Sequence, residues 1–359
     1  MTSTSAKPAS LSRRKRGPTI LDVARRAGVS LGTVSNVLNE RGNVSDVRRT
    51  RVQNAIEALR YVPTGLAQGL RRQRSRVIGL CAPRSSSAYF ASLLDAFEDI
   101  AAEEGYEVMQ VFSRQDSDVE LRRIRALVAR KVDGLIVIPS PEPRATFDLI
   151  ASSGIPAVMV DRSSDDDRFD YVTQDDFDAM HAATTALLER GHRHLLYIMR
   201  FPGLVTTRRR IDGFLAACEK VHGARPGMLV RESDEQAFAE QFRELILRPD
   251  RPSAIIASNS AVALIVLRVL QQNGIACPQE VSLITFDAPA WAEVVHPPLS
   301  VVRPPAEAIA HKAWELLVRR MRRPGHPTER VALRAVLELR DSVARPRAVA
   351  RLRATGPNR

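Results

Sequence analysis

Several features that would mark other classes of protein are missing from these 359 residues. There are three cysteines, Cys81, Cys218 and Cys277, odd in number, far apart and each set in an apolar segment. That spacing argues against a disulfide framework or a thiolate metal site and predicts reduced, buried thiols in a cytosolic protein. No run approaches the roughly 18 apolar residues that a bilayer span needs, so no membrane partner is expected. Residues 1–16 lack the apolar core of a secretory signal, which predicts a cytoplasmic protein. Neither phosphate-cradling pattern, GxGxxG or GxxxxGK[ST], is present, and there is no GxSxG nucleophile elbow. His192 and His194 have no third ligand nearby, and Asp165-Asp166-Asp167 reads as a solvated loop and not a calcium site. No catalytic residue, metal or cofactor is expected, and the chain is not expected to be an enzyme.

Positive charge is what the chain has in excess, and it is unevenly placed. Residues 1–74 carry 15 Lys/Arg and four acids, or +11 of the total +12. Residues 344–359 add five Arg and no acid, which leaves residues 75–343 at −4. A basic head on a near-neutral body predicts that the head meets a polyanion while the body does something else. Arg far outnumbers Lys, which fits phosphate contacts; a GC-rich genome would produce the same bias. Residues 1–18 read as a disordered basic tail. Its Arg13-Arg14-Lys15-Arg16 cluster fits either phosphate contact or simple solvation.

Order is expected from Thr19. Thr19-x-x-Asp22 has the form of a capping box, and Ile20, Val23, Ala24 and Ala27 recur at helical spacing. Gly28 suits a helix end and Ser30 the start of a second helix, whose inward face would be Val34, Val37 and Leu38. Only Gly28-Val29-Ser30 separates the two, the length of a helix-turn-helix corner. A third helix follows Ser45, with Val52, Ile56 and Leu59 on one face. The second helix of such a head can enter a DNA major groove.

These segments, TILDVARRAGVSLGTVSNVLN and VSDVRRTRVQNAIEALRYVPTGLAQGLR, resemble the DNA-binding head and hinge of the LacI family of bacterial transcription regulators. The resemblance implies that Leu31, Gly32 and Asn36 read bases. Thr33, Ser35, Asn39, Asn43 and Ser45 would contact phosphate or support base contacts. Thr19 and Leu21 match phosphate-contacting positions, and Ser30 caps the recognition helix. Two positions depart from the pattern: many members have Arg where this chain has Asn36, and Gly32 offers no side chain. Asn makes a bidentate contact to adenine where Arg prefers guanine, so the half-site is expected to differ at that base. The alternative is that Asn36 touches only phosphate.

Residues 63–75 read as a hinge. Gly65 and Gly69 each cost roughly 1 kcal/mol against Ala in a free helix. The resemblance implies a helix formed only on DNA, with Leu70 wedged between base pairs in the minor groove and Ala67 beside it. A flexible linker with an incidental leucine is the plain alternative.

From Val77 onward apolar runs alternate with amphipathic stretches. VIGLCAP, YEVMQVF, GLIVIPS, AVMVD, HLLYIM, AIIAS and VSLITFD read as buried parallel strands, with helices near 89–104, 118–131 and 177–190. The pattern predicts an α/β doubly wound fold, in two halves because seven strands and a returning segment exceed one small sheet. The resemblance implies a bilobal, periplasmic-binding-protein-like core with crossovers near 174–176 and 303–305. The expected organisation is a tail (1–18), an all-α helix-turn-helix head (19–62), a hinge (63–75), a bilobal core (76–343) and a basic tail (344–359). Lobe 1 would hold about 76–174 and 304–330, and lobe 2 about 175–303 and 331–343. HPPLSVVRPP is expected to be a crossover, because its prolines resist both helix and central strand.

Ligands of such sheets bind beyond the carboxyl ends of the strands. Tyr89 and Phe90 after the first strand, Asp161 after the fourth and Asp287 after VSLITFD are the candidates there. By the resemblance, Arg210 matches a cleft arginine three residues before the family's glycine, here Gly213; Thr206 shares its loop, and Asn259 follows AIIAS. Tyr89-Phe90 is similar to the purine-type members, although core packing is the alternative for Phe90. An Arg210 opposite Asp287 would suit a polar, hydroxylated or zwitterionic ligand. The chain departs from the family at Ser260 and Ala288, where acids are usual, and at Leu204, which matches a purine-contacting arginine. The expected partners are double-stranded operator DNA, a small-molecule effector (a sugar, nucleobase or related metabolite) and a second copy of the chain. A dimer is expected because residues 344–359 show no heptad pattern. The expected location is cytoplasmic and nucleoid-associated.

Overall fold

The computed structural model describes residues 18–38, 42, 44–61, 75–84, 87–231 and 234–346. The chain divides after Ser75 into two compact units, each with its own core.

The first unit is three helices. Helix α1 (Ile20–Ala27) opens on a reciprocal cap: the Thr19 backbone N–H donates to Asp22 Oδ2 (2.8 Å), and the Asp22 N–H donates to the Thr19 hydroxyl (3.4 Å). It ends at Gly28, whose φ of 63° is the left-handed conformation that glycine adopts without cost. Helix α2 (Leu31–Leu38) starts where the Thr33 N–H donates to the Ser30 hydroxyl (3.1 Å). Helix α3 (Asp46–Leu59) closes the unit. Val23, Ala24, Ala27, Val34, Val37, Val52 and Ala55 form its core, capped by Tyr61 just beyond α3. Ile56, Leu59 and Leu38 sit at its margin, half-buried.

The second unit holds two six-stranded sheets of one design. The first contains β1 (Val77–Ala82), β2 (Glu107–Phe112), β3 (Gly134–Val137), β4 (Ala157–Val160), β5 (Asp170–Gln174) and β11 (Arg330–Leu333), in the order β11-β5-β4-β3-β1-β2. The second contains β6 (His194–Met199), β7 (Arg225–Val230), β8 (Ala254–Ala257), β9 (Ser282–Phe286), β10 (Ser300–Arg303) and β12 (Val336–Glu338), in the order β12-β10-β9-β8-β6-β7. Every pairing is parallel except β10 with β12. In the first sheet, α4 (Ala88–Glu103) and α12 (Ala306–Arg322) cover one face, and α5 (Ser117–Ala129) and α6 (Arg144–Ser153) the other. In the second, α7 (Asp176–Glu189) and α8 (Val205–Glu219) cover one face, and α9 (Glu235–Ile246) and α10 (Ser260–Gln272) the other, with the short α11 (Trp291–Val294) following β9. Burial on both faces is why β3, β4 and β8 read as unbroken apolar runs.

Three features differ from expectation. HPPLSVVRPP is not wholly a crossover: Ser300–Arg303 forms β10, between β9 and β12, with the prolines on either side of its paired residues. The last return to lobe 2 falls after Leu333 and not at 330, because β11 pairs with β5 through Leu333↔Gln174. Lobe 1 therefore runs through 333. Cys277 is half-buried, unlike Cys81 and Cys218. All three thiols are free, and burial pushes Cys218 up to about 11 and Cys277 up to about 12.

Buried polar pairs hold the returning segments. Arg320 on α12 forks onto the fully buried Asp170 (2.6 and 3.0 Å), which also accepts from the Glu329 N–H. His192 bonds Ser253 through Nδ1 (2.9 Å) and the Ala344 carbonyl through Nε2 (2.8 Å), a tether and not a ligand set. Asp166 is paired with Arg168. Among the described residues no group of three His, Cys, Asp or Glu could hold a metal ion.

Candidate functional site

The head presents a short polar helix face. Val34 and Val37 turn inward on α2, so at 100° per residue Gly32 and Asn36, four apart, point away from the core. Both are exposed, as are Leu31 at its N-terminal end and Leu21 on α1. Thr33 and Ser35 are half-exposed beside them, and Ser45 is exposed before α3. The Thr19 hydroxyl is committed to Asp22 (2.6 Å) and the Ser30 hydroxyl to Thr33. Gly42 lies beside the Asn36 side chain: a Cβ there would be 3.5 Å from the amide nitrogen, an ordinary contact. Arg25 and Arg26 in α1, and Arg48, Arg49 and Arg51 in α3, add cations to the unit. Asn39, Asn43, Ala67 and Leu70, with the rest of residues 63–74 and the expected tails, lie outside the described residues, apart from Pro18 and residues 344–346.

In the second unit all seven expected residues, Tyr89, Phe90, Asp161, Thr206, Arg210, Asn259 and Asp287, line one cavity of about 650 Å³. It opens beyond the carboxyl ends of both sheets, where strand order reverses at β1/β3 and at β6/β8. The chain turns sharply to build it. Arg114, Gln115, Asp161, Phe201 and Asp287 have φ between 52° and 72°, and none is glycine. Left-handed backbone at bulky residues costs roughly 1–3 kcal/mol each and persists where a site needs a particular direction.

A chain of buried charge crosses the cavity floor. Arg210 lies over the Phe286 ring (4.0 Å to the centroid), donates from Nε to Asp176 Oδ1 (2.6 Å) and from Nη1 to the Ser258 carbonyl (3.2 Å). Burial works against its charge, but Asp176, Tyr197 and Asp161 outweigh that and raise its basicity. The ion pair of Arg210 is therefore with Asp176, which sequence reasoning did not single out, and not with Asp287. Asp287 instead accepts from the Ser87 hydroxyl across the lobes (2.7 Å) and from the Ser260 hydroxyl and N–H (3.3 and 3.4 Å). This accounts for serine at 260: an acid there would face the Asp287 carboxylate, whereas serine donates to it. Asp161 lies beside Arg162 (3.7 Å) and the buried Tyr89 hydroxyl, whose pKa is raised first by burial and then by Asp161. Phe90 both lines the cavity and packs on the lobe 1 core, its ring 5.1 Å from that of Tyr89.

Burial raises the pKa of Asp161 and Asp287 and pushes Asp176 up to about 6 despite Arg210. A carboxylate above its ordinary 3.8 binds more protons folded than unfolded between pH ~4 and ~6, so its contribution to stability falls as pH rises through that window. We expect Asp176→Asn to flatten the stability profile between pH 4 and 6, measured as urea midpoints at half-unit steps. An unchanged slope would refute the assignment.

The cavity also takes Arg84, Ser87, Arg114, Gln115, Arg162, Arg200 and Phe201, none of them expected. Each follows the end of β1, β2, β4 or β6, so strand boundaries were the available signal.

Two family models match the chain. Residues 19–64 match "Bacterial regulatory proteins, lacI family", and residues 184–343 match "Periplasmic binding protein-like domain". The chain thus joins a lacI-family helix-turn-helix head to a periplasmic-binding-protein-like domain. Among similar proteins, the HTH-type transcriptional repressor PurR of Aliivibrio fischeri (strain MJ11) is 28% identical over 334 residues, 90% of this chain and 98% of that protein. PurR of Vibrio atlanticus is 29% identical over 86% of this chain and 93% of its own length. Among solved structures, the transcriptional regulator CelR–cellobiose complex is 26% identical, with a TM-score of 0.66 over 90% of this chain and 99% of its own. The lac repressor dimer bound to operator and the anti-inducer ONPF is 21% identical and shares the fold, with a TM-score of 0.80 over 92% of this chain and 100% of its own. With this head and these repressor relatives, the chain is a DNA-binding transcriptional regulator and not an enzyme. Among the described residues no helix is long and apolar enough to cross a membrane.

Proposed function

We propose that the chain represses transcription by binding a pseudo-palindromic operator as a dimer, one head per half-site, with its affinity set by a small molecule in the inter-lobe cavity. The gathering of all seven expected residues around one cavity at the sheet switch points is the observation that carries the effector reading. Three chain crossings join the lobes, and the Ser87–Asp287 bond spans them, so a ligand favouring one lobe angle would shift the balance of states by its differential affinity. A dimer is supported by apolar side chains exposed on the outermost strands of both sheets, Phe112 on β2 and Met228 and Val230 on β7. The related PurR proteins are named repressors, and the structural relative CelR holds cellobiose.

Asn36, outward on α2, is proposed to read adenine in each half-site, flanked by Leu31 and Gly32; Thr19, Leu21, Thr33, Ser35 and Ser45 would support the dock. Asn39, Asn43, Ala67 and Leu70 keep the roles that the resemblance implies. Selection from random duplexes should return a two-fold symmetric site. With Asn36→Arg the preferred base at one position per half-site should change toward guanine, by roughly 1–3 kcal/mol of discrimination. Identical selected sites for the two proteins would show that Asn36 reads no base. Diffuse binding lost at modest salt, with no selected site, would mean that the head supplies charge alone.

A further inference from the structure

Each carboxylate at the cavity lies beside a cation or a hydroxyl, and three of its arginines have no acid paired with them among the described residues. Asp161 faces Arg162 and Tyr89, Asp287 takes hydroxyls from Ser87 and Ser260, and Asp176 behind them holds Arg210. Arg84, Arg114 and Arg200 line the same cavity, and none has an acidic partner among the described residues. Arg84 and Arg114 come from lobe 1 and Arg200 from lobe 2, so they flank the opening from both sides. Arg200 is half-buried over the Phe201 ring (4.7 Å), and its charged form is disfavoured by burial and then by Arg231. A guanidinium in that position gains from a bound anion.

A second, independent feature points the same way. Helix α8 starts at the cavity wall, with Leu204, Thr206 and Thr207 among the lining residues. Its N-cap residue is Leu204, which supplies no side-chain acceptor, and its first turn holds no acid. Helices α5, α7 and α9 are each capped by an aspartate and carry acids in the first turn, whereas α4 and α6 share with α8 the lack of a side-chain cap and of a first-turn acid. An uncapped N-terminus bears partial positive charge and unsatisfied N–H groups. Arg84 and Arg114 also edge an adjoining concavity with Arg123, which extends the positive field outside the mouth and favours capture of anions.

We propose that the effector of this protein is a small organic oxyanion, a phosphate ester or a polycarboxylate, whose charged group is held by Arg84, Arg114 and Arg200 and faces the start of α8. The inference rests on the reading of the cavity as the effector site. Guanidinium forks suit either oxyanion, and the two sources are separated by the probe.

Purified full-length protein would be titrated calorimetrically with glucose 6-phosphate, citrate, glucose and hypoxanthine at constant ionic strength. The same four would be run on Arg84→Gln/Arg114→Gln/Arg200→Gln, with Arg200→Gln alone as a lighter change; circular dichroism checks that both variants fold. Glucose 6-phosphate or citrate should bind wild type, the preferred one identifying phosphate or carboxylate, and the triple variant should bind it about tenfold or more weakly. Glucose or hypoxanthine binding equally well to wild type and the triple variant, with neither anion bound, would overturn the proposal. So would anion binding that the arginine changes leave unaltered, or no anion binding up to 10 mM. Operator binding by the same wild-type protein is read separately, without ligand and with each of the four. Its absence under every condition would count against the regulator reading, whereas a sharp footprint without anion binding would sink only the present inference.

Discussion

Replacing Arg210 with methionine is expected to destabilise the second unit by ~3–5 kcal/mol, because it leaves a buried carboxylate without its counter-charge. The guanidinium serves three partners at once: the Asp176 carboxylate, the Ser258 carbonyl and the face of Phe286. Asp176 is almost completely buried and, among the described residues, its carboxylate is otherwise bonded only by Gln174, so it has little water to fall back on. Urea unfolding followed by tryptophan fluorescence (Trp291 and Trp314 both lie in this unit) measures the loss directly. The double change Arg210→Met/Asp176→Asn should recover a large part of it, since a neutral amide tolerates the site far better than a lone carboxylate. A single-variant loss below ~1 kcal/mol would mean that solvent reaches the pair freely and screens it. Operator binding by the head should survive in the double variant while its response to ligand is lost, because Arg210 lines the cavity floor.

Gly213→Ala should be about as damaging, and for a steric reason. Gly213 lies where α8 crosses α7, the two most closely packed helices of the second lobe. A Cβ at 213 would meet the Phe177 carbonyl oxygen at 2.3 Å and the His181 amide nitrogen at 3.2 Å. Both obstacles are backbone in a helix, so no rotamer change relieves them, and the helices would have to separate. Overpacking of a fitted core costs about 1–3 kcal/mol and occasionally more, and here the upper end is expected. Moving α8 would also carry Arg210, one turn earlier, away from Asp176. Thermal midpoints of the variant, with Gly203→Ala as control, test this; a Cβ at Gly203 meets nothing within 4 Å. Equal midpoints for the two variants would refute the close crossing.

What the sequence by itself determined was whatever depends on neighbours along the chain. The cap at Thr19, the left-handed stop at Gly28 and the inward Val34 and Val37 are local, and they place Asn36 on the outer face without further help. The strands buried on both faces announced themselves as apolar runs, and their ends named Tyr89, Phe90, Asp161 and Asp287, while the resemblance supplied Thr206, Arg210 and Asn259 of the same cavity. Tertiary structure decided the rest. Strands β5, β7, β10, β11 and β12 carry polar residues or flanking prolines, and they are strands because a partner supplies the hydrogen bonds, as β5 does for β11. Sequence pattern shows burial, and these segments are held by pairing, or, for Asp170, by an arginine 150 residues away. Charge pairing was equally invisible. Arg210 and Asp287 look complementary in the sequence, yet the helix that carries Asp176 reaches the arginine and Ser87 takes the aspartate from across the cavity. Which charges are spent and which remain free to bind is settled only when distant segments meet, because an ion pair depends on distance in space and not along the chain.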